Sequence, residues 1–123
     1  MSFPSEFYDY LESHTLLQIK GGTERDSFLN IWMVEVEARI FARSWNKSDK
    51  SWFTEFKDTG VGEIKYGNYI INVKGKKLEK QDPFNKLIDQ AYLSKYTQPE
   101  NIKYAEGISQ PEYADHTMEF FPA

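Results

Sequence analysis

The sequence predicts a mainly β protein, in which six or seven antiparallel strands nearly close into a barrel with helices at its flanks. Short segments of alternating apolar and polar residues are numerous, and most are joined by short turns, which favours antiparallel pairing. The chain has 123 residues, which fits one domain over residues 1–123. So many strands in a domain of this size tend to curl until few edges stay exposed.

Apolar periodicity and turn residues place the first elements. A helix is predicted over residues 4–14 and a strand over residues 15–20. The segment 27–37 is the strongest strand candidate. Its apolar side chains alternate between two faces, with Trp32, Val34 and Val36 on one and Leu29, Ile31 and Met33 on the other. A tight turn at Ala38-Arg39 is expected to follow it.

The later elements share the same signals, an apolar pattern bounded by capping or turn residues. They are predicted over residues 40–45 (strand), 51–58 (helix), 62–66 and 69–74 (strands), 83–96 (helix), 100–106 (helix) and 116–121 (strand). Ser48 or Ser51 is expected to cap the helix 51–58, and Asp82 the helix that follows it. Gly75 is expected to end a strand, and residues 78–81 extend that strand or add another.

Charge is distributed unevenly along the chain. The net charge is −4, but residues 1–37 carry −5, residues 38–80 carry +5 and residues 81–123 carry −4. The basic third is either an anion site or a solvated surface. A mildly acidic chain lacks the dominant basic surface that nucleic-acid binding needs. Neither a secretory signal nor an apolar stretch near the ~20 residues of a membrane span is visible, so a cytoplasmic location without a membrane partner is expected.

Several kinds of chemistry are excluded or disfavoured by composition. The chain has no cysteine and only two histidines, His14 and His116, which excludes thiolate metal sites and a cysteine nucleophile, and no metal site is predicted. Phosphate-binding Walker loops, dinucleotide fingerprints and nucleophile elbows are absent from the sequence. Glu35 and Glu37 are interpreted as solvated carboxylates rather than as a glycosidase pair. Little chemistry is therefore expected unless a cofactor brings it, and whether the chain is an enzyme stays open.

Two places are candidates for binding an anionic ligand. The first is the loop after the first strand, where Lys20, Thr23 and Arg25 bring charge and a hydroxyl next to two glycines. An ordinary hairpin loop is the simpler interpretation of that segment.

The second candidate place is a strand end that leads into a helix start. Arg43, Ser44, Lys50 and the helix N-terminus would bind a phosphate or carboxylate there, and Trp45 or Trp52 would stack on a flat ring. The alternative is that Trp52 belongs to the core and that Arg43 pairs with a carboxylate of the adjacent strand, such as Glu35 or Glu37.

These segments carry a resemblance to a known family. The residues that carry it are Ile31-Trp32-Met33-Val34-Glu35-Val36, Ile40-Phe41-Ala42-Arg43-Ser44, Ser51-Trp52, and Ala91-Tyr92 through Lys95-Tyr96. With this pattern the chain resembles a family of small uncharacterised bacterial proteins, a domain-of-unknown-function family. The match runs from about Phe7 to Pro122. More distantly, the layout is similar to pyridoxamine-phosphate-oxidase-like flavoproteins and deazaflavin-dependent nitroreductases.

The distant resemblance implies a split β-barrel, a homodimer, and flavin mononucleotide or a deazaflavin as cofactor, although a chain without cofactor is an equal alternative. Carried over by position, the cofactor-binding residues would be Lys20, Thr23, Arg25, Arg43, Ser44, Lys50 and Trp52. The nitroreductase loop carries Gly-Arg-Lys-Ser-Gly, whereas Glu24 and Asp26 place negative charge in the corresponding loop of this chain.

Two functions of different class follow. The first is a flavin- or deazaflavin-binding oxidoreductase-like protein of unknown substrate, in which the cofactor carries the hydride. The second is a non-catalytic ligand-binding or interaction module on the same barrel that has lost the cofactor. This module would pair Arg43 and Arg25 with protein carboxylates. A hydrolase that uses Glu35 is a third, weaker hypothesis.

Overall fold

Residues 3–23, 27–45 and 51–123 are described by a computed structural model. This part of the chain contains four α-helices, a short 3-10 helix and seven strands. In chain order these are α1 (Ser5–Ser13), β1 (Leu17–Gly21), β2 (Leu29–Ile31), β3 (Val34–Val36), β4 (Arg39–Arg43), α2 (Trp52–Thr59), β5 (Val61–Tyr66), β6 (Tyr69–Lys77), α3 (Phe84–Lys95), α4 (Ile102–Ile108), the 3-10 helix (Pro111–His116) and β7 (Thr117–Pro122). None of the described helices is long and apolar enough to cross a membrane.

The seven strands form one curled antiparallel sheet in the order β2-β1-β5-β6-β7-β4-β3. The two outermost strands are consecutive in sequence and are separated by Trp32 and Met33 alone. The sheet therefore curls until its two edges meet at this two-residue link, which gives a half-barrel with flanking helices. The predicted fold class is confirmed.

The predicted strand 27–37 is divided in two by this closure. β2 pairs with β1 on one edge, and β3 pairs with β4 on the other. The division arises because the segment passes from one edge of the sheet to the other, so its hydrogen-bonding partner changes. The predicted alternation is confirmed: Ile31 and Met33 enter the core inside the barrel, and Val34 enters a second core between the sheet and the helices α3 and α4.

Two turn and strand predictions are corrected. The hairpin turn lies one residue earlier than expected, at Glu37 and Ala38, whose φ values are 52° and 68°. These values define a type I′ turn, and the Glu35 Oε2 atom accepts a hydrogen bond from the Ala38 backbone N–H at 3.1 Å. The prediction that Gly75 ends a strand was wrong, because β6 continues through it to Lys77, and residues 78–81 form no strand.

Helix α2 lies against three glycines on neighbouring strands. Ser51 caps it by accepting a hydrogen bond from the Thr54 N–H at 3.2 Å. Of the two residues predicted to cap this helix, Ser48 and Ser51, Ser51 is therefore confirmed. A Cβ added to Gly75 would meet the Phe56 ring at 2.5 Å, one on Gly21 would meet the Trp52 carbonyl oxygen at 2.8 Å, and one on Gly62 would meet the same Phe56 ring. The glycines let α2 approach the sheet closely and thereby place its N-terminus beside the end of β4.

Candidate functional site

A cavity of about 510 Å³ opens beside the link that closes the barrel. It lies where β2, the end of β4 and the start of α2 meet. Its lining residues are Leu16, Leu29, Asn30, Ile31, Trp32, Arg43, Ser44, Trp45, Ser51, Trp52 and Ile108. All three tryptophans of the chain are among them. Three large aromatic side chains around one cavity make a site suited to a flat, largely apolar ligand.

The three tryptophans differ in how they are held. Trp32 is half-buried and stacks on Tyr96, and Trp52 is buried against Phe56 and Phe120. Trp45 keeps 44% of its surface exposed and meets the Tyr113 ring edge-on at 5.1 Å between centroids. Trp45 is therefore the tryptophan with most surface to offer to a stacked ring.

The Arg43 side chain forms part of the structure beneath the cavity. It is 0% exposed and forms an ion pair with Asp89 on α3. Its Nε–H donates to the Thr117 hydroxyl at 3.0 Å, and its remaining N–H groups donate to the Ile108 carbonyl and to the carbonyl and side-chain oxygens of Asn85 at 3.1–3.3 Å. All five guanidinium N–H groups have a protein acceptor, so a ligand would have to displace one of them.

The backbone of Arg43 is fixed by a buried tyrosine. Its N–H donates to the Tyr92 hydroxyl at 2.9 Å. Burial raises the pKa of Tyr92 to about 12, even though this hydrogen bond and the Arg43 charge act in the opposite direction. The hydroxyl therefore stays protonated at neutral pH, and the end of β4 is held against α3.

The polar side of the cavity comes from the residues that follow β4 and precede α2. The Ser44 N–H donates to the His116 carbonyl at 3.1 Å, which aligns this segment with β7. Ser51 caps α2, so the positive end of the helix dipole lies at the cavity wall. With the exposed side chain of Asn30, these groups give one polar end to an otherwise apolar site.

The structure brings three of the seven predicted cofactor-binding residues, Arg43, Ser44 and Trp52, to this cavity. Lys20 lies in a neighbouring cavity of about 90 Å³ that shares Trp52 and Leu29 with the first. Its Nζ pairs with Glu63 at 3.2 Å and stands 4.7 Å from the centroid of the Phe28 ring.

The other predicted residues are not brought to the cavity wall by the described structure. Thr23 is exposed in the loop after β1, and Arg25 and Lys50 lie outside the described residues. Whether any of the seven binds a cofactor stays a prediction. Within the basic third of the chain, Lys74, Lys76 and Lys80 are exposed, and Lys77 pairs with Asp115 at 2.8 Å.

Sequence reasoning missed several wall residues, above all Trp32, Asn30 and Ile108. The sequence places Trp32 on the same strand face as Val34 and Val36, and all three pack in the core next to α3 and α4, but a strand face does not show that a residue also borders a cavity. Three tryptophans within 21 residues of sequence, 32–52, were the available signal. Ile108 carried no such signal because it is contributed by α4, far along the chain.

The fold and the cavity define a small half-barrel protein with a tryptophan-lined cavity. The chain belongs to a family described as uncharacterised proteins conserved in bacteria, DUF2255, whose profile matches residues 13–120. The structure is similar to the crystal structure of an FAD-binding protein from Mesorhizobium loti, with a TM-score of 0.53, 12% sequence identity and coverage of 96% of this chain and 86% of that chain. Among curated proteins, none matches the sequence significantly.

Proposed function

We propose that this protein binds a flavin or a deazaflavin in the tryptophan-lined cavity and works as an oxidoreductase-like protein. The observation that carries the proposal is the convergence of all three tryptophans on one cavity of about 510 Å³, a size typical of small-molecule sites. The similar structure from Mesorhizobium loti is an FAD-binding protein, which supports a flavin as the flat ligand.

The polar end of the cavity is the proposed phosphate site. Ser44, Ser51 and the N-terminus of α2 supply hydroxyl groups and a favourable dipole. Lys20 and Thr23, together with Arg25 and Lys50, which lie outside the described residues, are proposed to add charge and a further hydroxyl. Arg43 is proposed to act by fixing the end of β4, because its five N–H groups already have acceptors in the protein.

The bound cofactor would supply hydride or electron transfer. The residues of this chain bind it, orient it and exclude water. Trp45 would cover one face of the ring, while Leu16 and Leu29, both exposed at the cavity, would shield its edge. A reaction in which the cofactor carries the hydride and the chain only binds the cofactor fits a sequence that predicts no acid–base constellation.

A titration with flavin mononucleotide, FAD and a deazaflavin, followed by tryptophan and cofactor fluorescence, tests this function. Binding at tens of micromolar with quenching of both signals is the expected result. Trp45→Ala should weaken binding roughly tenfold through the loss of ring stacking. Tyr69→Ala is the matched control, since Tyr69 is an exposed aromatic residue outside the cavity. A colourless protein that binds none of the three cofactors would end this proposal.

A non-catalytic module on the same half-barrel is the second candidate, and the ion pair of Arg43 with Asp89 favours it. The sequence hypothesis named Glu35 or Glu37 as the partner, whereas the carboxylate comes from α3. A module of this kind would bind an apolar ligand in the cavity without binding flavin. Displacement of an environment-sensitive apolar dye, lost in Trp45→Ala but kept in Tyr69→Ala, distinguishes it from a flavoprotein.

A homodimer is also proposed. Leu16, Leu29 and Trp45 are exposed large apolar residues that all border the cavity, and a second copy of the chain would cover this rim. Light scattering after size exclusion should give twice the mass of the chain, and Leu29→Ser should shift the protein towards the monomer. A monomer at micromolar concentration would exclude the dimer. The cytoplasmic location stays a prediction from the sequence.

A further inference from the structure

Gly107 is a glycine within a helix whose backbone does not require one. It lies in the last turn of α4 (Ile102–Ile108). Among the described residues, the glycines with a positive φ are Gly22, Gly60 and Gly67, so Gly107 does not use the left-handed conformation that favours glycine. Glycine in a helix is destabilising relative to alanine. The reason for a glycine at this position therefore lies in what surrounds the missing side chain.

The ring of Trp45 occupies the space that a side chain at residue 107 would need. A Cβ added to Gly107 would lie 3.0 Å from the Cη2 atom of Trp45 and 3.5 Å from its Cζ3 atom. The first distance is shorter than the separation at which two carbon atoms attract each other. The glycine therefore lets the six-membered ring of the indole lie close to the backbone of α4.

Two tyrosines contact the same indole. Tyr104 lies one turn before Gly107 on α4, and its ring centroid is 6.2 Å from that of Trp45 at an interplanar angle of 89°. Tyr113 of the 3-10 helix contacts it at 5.1 Å and 69°. Edge-to-face contacts of this kind are favourable between aromatic rings. Two separate elements therefore bound the indole, while 44% of the surface of Trp45 stays exposed beside the cavity.

The segments that meet at Trp45 are themselves tied together. The Arg43 guanidinium donates to the Ile108 carbonyl at 3.1 Å, which joins the end of β4 to the end of α4. The Ser44 N–H donates to the His116 carbonyl at 3.1 Å, which joins the same strand end to the 3-10 helix. Trp45 follows these two residues directly in the chain. The backbone that carries the indole and the helices that contact it are therefore linked to each other.

We propose that Gly107 is a positioning residue, which holds the Trp45 indole in its stacking orientation before a ligand arrives. The ligand is the flat one of the proposed function, on which this inference rests. Gly107 is not part of the cavity wall, so it acts through Trp45 and not by contact with the ligand. A side chain that is already ordered loses less conformational entropy on binding, and ordering a flexible one weakens binding up to roughly tenfold.

Fluorine NMR of the whole protein, labelled with 5-fluorotryptophan, tests the orientation without a ligand. Trp45→Phe assigns the Trp45 resonance. In the wild type, the neighbouring rings of Tyr104 and Tyr113 should displace this resonance from its position in strong denaturant. Gly107→Leu should push the indole off α4 and move the resonance towards the denatured position, whereas Glu106→Leu, at the adjacent exposed residue, should not. A wild-type resonance at the denatured position, or equal shifts in the two variants, would overturn the proposal.

Gly107→Ala decides the question if the leucine variant does not fold. Its added Cβ meets the indole of Trp45, while alanine favours the helix. The midpoint of urea unfolding should therefore be no lower than in the wild type, and the Trp45 resonance should still move in the same direction as in Gly107→Leu. A resonance that stays in place would show that the missing side chain of Gly107 does not set the orientation of Trp45.

Ligand affinity is the second measurement, with flavin mononucleotide as the probe. Gly107→Leu should weaken binding roughly threefold to tenfold, and Glu106→Leu should leave it unchanged. Wild-type affinity in Gly107→Leu would contradict a positioning role. If the wild type binds no flavin, the proposed function fails, whereas the fluorine resonance of the free protein still decides the role of Gly107.

Discussion

The indole ring of Trp32 stacks on the phenol ring of Tyr96, with the centroids 3.9 Å apart and the planes at 6°. The Tyr96 hydroxyl accepts a hydrogen bond from the Met33 N–H at 3.1 Å and donates to the Thr15 carbonyl at 2.9 Å. The Tyr96 side chain therefore holds the link of Trp32 and Met33 between the two edges of the sheet. Trp32 also lines the tryptophan-lined cavity, so closure of the barrel and formation of the site share this stacking contact.

Tyr96→Phe removes this hydroxyl and keeps the ring on which Trp32 stacks. The free energy of unfolding should fall by roughly 1–3 kcal/mol, because the buried Met33 N–H loses its acceptor. Urea denaturation followed by circular dichroism measures the change. Tyr104→Phe is the control, since Tyr104 is exposed on α4, and it should change stability by less than about 0.5 kcal/mol. Equal losses in the two variants would show that the hydroxyl of Tyr96 does not hold the link.

Asp89→Ala removes the carboxylate that pairs with the buried guanidinium of Arg43. The Arg43 side chain has no exposed surface, so removal of its partner leaves a buried charge uncompensated. The expected loss of unfolding free energy is roughly 3–5 kcal/mol. Asp115→Ala removes the exposed partner of Lys77 and should cost less than about 1 kcal/mol. Calorimetry on both variants measures the difference, and a loss of similar size in both would contradict the structural role given to Arg43.

The locally encoded parts of the fold could be predicted from the sequence. The Ser51 cap and the alternating faces of residues 31–34 depend on neighbours a few positions away, and they appear as periodicity or as a capping residue. The arrival of Arg43, Ser44 and Trp52 at one cavity also followed from local order, because a strand end and a helix start are separated by a short loop.

The remaining features depend on contacts between distant segments. The long predicted strand is divided at Trp32 and Met33 because its pairing partner changes there. The alternation of apolar and polar residues in the sequence does not show such a change. The carboxylate that pairs with Arg43 lies 46 residues further along the chain. Gly75 is predicted to end a strand because glycine is a turn signal, whereas it lies within β6, where the Phe56 ring leaves no room for a Cβ.

Gly62→Ala tests the close approach of α2 to the sheet. A Cβ at this position would meet the Phe56 ring and lie 2.5 Å from the Lys20 carbonyl oxygen, and the backbone atom cannot move aside. The unfolding free energy should fall by about 1–3 kcal/mol or more. Gly60→Ala is the control, because its added Cβ meets nothing within 4 Å and only the φ of 75° is strained, at a cost near 1 kcal/mol. A smaller loss in Gly62→Ala than in Gly60→Ala would contradict this packing.

Stability should depend on pH through Lys95. Burial lowers its pKa in the folded chain to about 8, below the ordinary value of 10.5. Between these values the unfolded chain binds more protons at this residue than the folded chain, so the unfolding free energy should rise with pH. Above pH 10 the buried Tyr92 should make the unfolding free energy fall as the pH rises. The folded state raises its pKa from 10.0 to about 12, so the folded chain retains a proton that the unfolded chain loses.

Lys95→Met isolates the lysine contribution, since Tyr92 is common to both proteins and cancels in the comparison. Urea denaturation of both proteins is measured at intervals from pH 7 to pH 10. The difference in unfolding free energy, wild type minus Lys95→Met, should be constant near pH 7 and grow above pH 8, because the variant has no amine to lose its proton. The same difference for Lys103→Met, on the exposed face of α4, should stay flat across the range. A flat difference for Lys95→Met as well would mean that the folded chain does not depress the pKa of this amine.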